Sequence, residues 1–217
     1  MHRTLFFLLA FALAGSPVAA KERAPDSVKK AKAEALVAQT KSDGVWRTDG
    51  TGEITHLASG LKCAVSGDGD PIQLKELIVY PKAALGVSCA FTHTTEAGLT
   101  DTTLYVYSAL GLTNEQLLAQ SVGAIEMAHP DWKRTDGPSL SIEIKGKAGN
   151  AVAPAAARFA TAGSPEKFSS IWVGAARSWA IKVRTTYPRA DATPMELMSL
   201  VYWAHARLHI ARDDAAK

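Results

Sequence analysis

Thr102-Thr103-Leu104-Tyr105-Val106-Tyr107-Ser108 and, a short break later, Thr113-Asn114-Glu115-Gln116-Leu117-Leu118 together decide the fold class. Leu104 and Val106 alternate with Thr103, Tyr105 and Tyr107, which is the period of a strand with one dry side. Thr113 stands where its hydroxyl can accept an early free amide, and Gln116 can reach back to the threonine amide. That pairing is a capping box and marks a helix start. Leu117, Leu118, Val122, Ile125 and Met127 carry the helix to His129, and Pro130 stops it.

The same alternation extends upstream. Val87, Cys89, Phe91 and His93 share one face, and the turn at Ala97-Gly98 makes them the hairpin partner of Thr102–Ser108. Leu61, Cys63 and Val65 alternate likewise, and Ile72 to Tyr80 reads as a strand closed by Pro81. Gly67-Asp68-Gly69-Asp70-Pro71 between them is a turn. Its oxygen ligands stop after two carboxylates, so a calcium loop is not expected there.

Downstream the order repeats. Leu140, Ile142 and Ile144 alternate with polar neighbours, residues 146–157 read as a connector, and Arg158 to Thr161 is a short strand. Ile171–Ala175 and Trp179–Tyr187 follow, separated by a tight turn over 176–178. Thr193-Pro194-Met195-Glu196 has the form of a second capping box with proline at the first helical position. Leu197, Leu200, Val201, Ala204 and Leu208 then recur at helical spacing. The expected fold is α+β: an antiparallel sheet with helices packed on one face, built as two similar strand–strand–helix modules over residues 61–130 and 140–212.

The amino terminus has a different pattern. His2-Arg3 precedes the apolar run Leu5–Leu13, and Val18-Ala19-Ala20 places small residues before Lys21, the order of a secretory signal peptide. The run is shorter than the roughly 20 residues that span a bilayer. The expected mature chain starts after cleavage between Ala20 and Lys21 and is periplasmic or secreted. Residues 21–42 are expected to form a helical or flexible arm, and residues 43–217 a single domain. Losing Arg3 with the signal segment lowers the formal charge from +3 to +2. A near-neutral chain argues against a nucleic-acid partner.

Cys63 and Cys89 are the only cysteines. Both alternate with apolar neighbours, so they are expected to face one layer and form a disulfide in an oxidising compartment. His205 and His209 are the one histidine pair with ligand spacing, extended by Asp213, but Arg207 and Arg212 oppose a cation and no metal is expected. A Gly-x-Ser-x-Gly elbow and a phosphate-cradling glycine loop are both missing from the sequence. No cofactor is expected. The candidate ligand surface is Trp172, which has the opposite parity to Ile171 and Val173, with the basic side chains Arg177, Lys182 and Arg184. These would suit a small anionic ligand, a lipid headgroup or an acidic envelope partner. The resulting expectation is an exported, soluble, non-enzymatic binding protein. Its rivals are a cofactor-independent hydrolase with a site between the modules, and a self-associating structural envelope protein.

Overall fold

A computed structural model describes residues 26–80, 86–136, 140, 144–145, 151–163 and 166–212. The signal segment, Asp213 and most of the strand expected from Leu140 lie outside them. Helix α1 (Asp26–Gln39) ends before Asp43-Gly44 and docks through Ala33 and Leu36. It presses closely on Gly52, where φ is +90° and an added Cβ would lie 2.6 Å from Lys29 Cβ. Three short strands, β1 (Trp46–Thr48), β2 (Glu53–His56) and β3 (Lys62–Ala64), then form a small antiparallel sheet. Strands β4 (Ile72–Val79), β5 (Val87–Thr95) and β6 (Gly98–Ser108) run as a meander into α2 (Asn114–Ala128). After β7 (Lys133–Thr135), strands β8 (Ile144–Lys145) and β9 (Ala151–Val152) pair as a ribbon. A second meander of β10 (Ala155–Ala160), β11 (Lys167–Ala176) and β12 (Trp179–Pro188) leads into α3 (Ala192–Arg212).

The large sheet is antiparallel in the order β4-β5-β6-β12-β11-β10-β7. The β5–β6 hairpin has the expected partners, with Val87 opposite Val106 and Cys89 opposite Leu104. β6 and β12 join the two meanders, with Lys182 opposite Tyr105. The short runs 133–135 and 151–157 contribute strands where no alternation announced them, since two or three residues carry almost no period.

Among the helices, α1 and α3 pack on one face of the sheet. α2 does not join them. Ile171 and Val173 of β11 pack with Val122, Ile125 and Leu117 of α2, whereas Trp172 packs with Trp203 of α3. Adjacent strand residues point to opposite faces, so the two long helices sandwich the sheet. This corrects the expectation that both capped helices lie across one side. Both halves have the order meander then helix, but the helices go to opposite faces. At Gly174 an added Cβ would lie 2.7 Å from the Trp203 ring, so only glycine lets α3 approach here.

The two helix starts also differ. Thr113 and Gln116 form the complete capping box, Gln116 N–H to Thr113 Oγ1 at 3.3 Å and Thr113 N–H to Gln116 Oε1 at 2.9 Å. At α3 the expected box is absent. Glu196 turns inward and accepts from Arg158 Nη1 and Tyr187 Oη, each at 2.9 Å. Ser199 Oγ lies 2.7 Å from Thr185 Oγ1, which lies 3.1 Å from Thr102 Oγ1. These polar contacts rotate α3 away from the expected phase. Leu200, Trp203, Ala206 and Ile210 are buried, while Leu197, Val201 (51% exposed) and Leu208 face outward. Met127 of α2 is likewise exposed.

Cys63 and Cys89 form the disulfide, with Cα atoms 6.5 Å apart. They lie in different sheets, so the bond clamps the small sheet and its covering α1 to the large one. Among the described residues no helix is long and apolar enough to cross a membrane. The 26-residue separation of the cysteines corresponds to about 3–4 kcal/mol of chain-entropy stabilisation. Replacing both by alanine is expected to lower the unfolding free energy by that order in urea denaturation. An unchanged midpoint would contradict the clamp.

Candidate functional site

The face of the large sheet that carries α2 is only partly covered, because α2 lies over β10 and β11. Beside its edge β12 presents Lys182 and Arg184, as their parity opposite Ile181 and Val183 requires. β6 places Tyr105 and Tyr107 next to them. Lys182 Nζ lies 4.2 Å from the centre of the Tyr105 ring and 5.9 Å from that of Tyr107. Arg184 stacks at 5.3 Å over Trp132, and its Nε donates to Ser169 Oγ at 3.3 Å.

A small pocket of about 100 Å³ opens between these strands and α2. Tyr105, Lys182 and Arg184 line it from the sheet, and Ser121 and Ile125 from the helix. Among the described residues no carboxylate pairs with Lys182 or Arg184. Burial, reinforced by the neighbouring Arg184 charge, pushes the Lys182 ammonium down to about 8. Two half-buried cations without a counterion disfavour folding unless something else supplies negative charge.

The four residues singled out from the sequence therefore separate. Lys182 and Arg184 come together. Trp172 is 2% exposed, on the opposite face, packed into the main core with Trp203. It therefore shares no surface with the basic pair. Arg177 sits exposed in the β11–β12 turn with φ of 56° and is not part of the pocket lining. Tyr105 and Ser121 escaped sequence reasoning because the β6–β12 pairing and the docking of α2 are long-range. The one local signal was that Tyr105 and Tyr107 occupy the polar parity of their strand.

Two other constellations bear on chemistry. His205 and His209 do share a helix face, with Nε2 atoms 3.0 Å apart. Among the described residues no three His, Cys, Asp or Glu side chains group as metal ligands. On the opposite face of the sheet from Lys182, His56 Nδ1 meets Ser59 Oγ at 2.7 Å. Ser59 is 4% exposed and its Oγ also accepts the Leu61 amide at 3.2 Å, so the pair closes the β2–β3 turn. Burial holds the His56 ring down to about 4, which makes it a poor base at neutral pH. No carboxylate among the described residues orients it.

The lowered Lys182 value has a measurable sign. The unfolded chain takes up this proton at higher pH than the folded one, so stability rises as pH climbs from about 8 towards 10. Above 10 the buried Tyr187 and the half-buried Tyr202, both shifted upward by burial, act the other way. We expect about 1–2 kcal/mol of stabilisation between pH 8 and 10 in ligand-free protein. Lys182→Met should abolish that rise, and an identical profile in the variant would refute the assignment. No protein-family model matches the chain, and no curated protein matches its sequence, so the chemistry of this site rests on its own residues.

Proposed function

We propose that the chain is an exported, non-enzymatic binding protein that holds the acidic group of a small ligand between Lys182 and Arg184, under the edge of α2. The observation that carries this reading is the pair of half-buried cations with no carboxylate among the described residues against them. An oxyanion in the pocket would supply the missing charge and accept from both side chains, the charge-assisted bonding that guanidinium and ammonium groups favour. Tyr105 would hold the ammonium from behind through its ring, and Ser121 offers a neutral hydroxyl from the helix.

The volume of about 100 Å³ suits a single phosphate, sulfate or carboxylate group, with the remainder of the ligand outside. Export to the periplasm or beyond, after cleavage between Ala20 and Lys21, is supported by the signal pattern and by the Cys63–Cys89 bond, which persists in oxidising compartments. The buried, turn-closing serine–histidine pair speaks against the hydrolase reading.

The test is calorimetric titration of the native, disulfide-bonded protein with inorganic phosphate at low salt. Saturable binding is expected, weakened at least tenfold by Lys182→Met and by Arg184→Met. Affinity should also fall as pH rises through 8, because Lys182 loses its charge there. Absence of binding, or binding indifferent to both substitutions, would contradict the reading.

A further inference from the structure

We propose that a second cleft, on the other face of the sheet from the basic pocket, binds a small uncharged, mostly apolar molecule that carries one hydrogen-bonding group directed to His56. The cleft forms where the small sheet, clamped over the large one by the disulfide, stops short of its edge. β4 and β5 contribute Val79 and Val87, β12 contributes Trp179, and the turn after β2 contributes Leu57 and Ala58. Its volume of about 650 Å³ is within the range of about 300–1,000 Å³ that holds small organic ligands.

Three observations select the ligand class. The described lining holds no Lys, Arg, Asp or Glu. A charged ligand would lose its hydration there and gain no counterion from the described residues. Second, the walls are apolar and aromatic, and Leu57 stands half exposed at the rim, as a contact side chain awaiting a partner would. Third, His56 is 5% exposed yet borders the cleft, wedged between Trp46 at 5.3 Å and Trp179 at 5.9 Å between ring centres. Its Nδ1 is committed to Ser59, and among the described residues no group bonds its Nε2. A neutral imidazole with one nitrogen engaged offers one further donor or acceptor. Nε2 is not sealed from solvent, so water or a ligand group in the cleft can meet it. One hydroxyl, carbonyl or N–H on an otherwise apolar molecule would satisfy it.

N-phenyl-1-naphthylamine is a suitable probe: neutral, aromatic, with a single N–H, and fluorescent when removed from water. Titrated into the native protein, it should bind saturably at one molecule per chain and shift the Trp179 indole N–H resonance. Ala58→Trp places a large ring at an exposed rim position and should weaken binding at least tenfold without loss of the fold. His56→Phe keeps the ring volume, removes the hydrogen bond and should weaken it several-fold. Lys182→Met should leave probe binding unchanged, which separates this cleft from the anion pocket. No saturable binding, or binding that survives both Ala58→Trp and His56→Phe, would overturn the proposal.

Discussion

Strand β11 is dry on both sides. From Phe168 to Gly174 every residue is buried, with Ile171 and Val173 under α2 and Trp172 and Gly174 under α3. A strand of this kind cannot sit in a two-layer fold with one wet face. It requires cover from both directions, and the two long helices provide it. The small sheet and α1 then extend the cover on the α3 face as far as β4 and β5, held there by the Cys63–Cys89 bond. Gly174, against the Trp203 ring, lets α3 lie as near to β11 as it does.

Both proposed sites arise where that cover runs out. On the α2 face the helix protects β10 and β11 and leaves β12 and β6 at its margin, so Lys182, Arg184 and Tyr105 are half-buried rather than fully wet. Half-burial is what makes the lack of a paired carboxylate among the described residues consequential. An exposed lysine without a partner is ordinary, whereas burial beside Arg184 pushes Lys182 down to about 8. On the other face the small sheet ends at His56 and the following turn, and the apolar wall of Val79, Val87 and Trp179 continues beyond it.

The sequence disclosed those parts of the fold that depend on local period. Leu104 and Val106, Cys89 and Phe91, and the box at Thr113 and Gln116 all stand as their spacing required, and the parity of Lys182 and Arg184 was legible for the same reason. The side taken by each helix was not. β11 is apolar on both faces, so alternation there is silent. α3 carries Leu197, Leu200, Val201, Trp203, Leu208 and Ile210 around most of its circumference, so its inward side could not be chosen from hydrophobicity. Polar residues chose it: Ser199 reaches Thr185, and Glu196 reaches Arg158 and Tyr187. Trp172 illustrates the same ambiguity, since its odd parity signals a covered second face as readily as a surface. Tyr105 joined Lys182 through a pairing between strands more than 70 residues apart, which no local pattern records.

Nuclear Overhauser contacts at two adjacent residues of β11 test the double cover most directly. The α-protons of Gly174 should contact the Trp203 indole, and the methyls of Val173 should contact those of Leu117. If Leu117 and Trp203 instead both contacted Gly174, or Trp203 contacted Val173, the helices would share a face and the sandwich described here would be wrong.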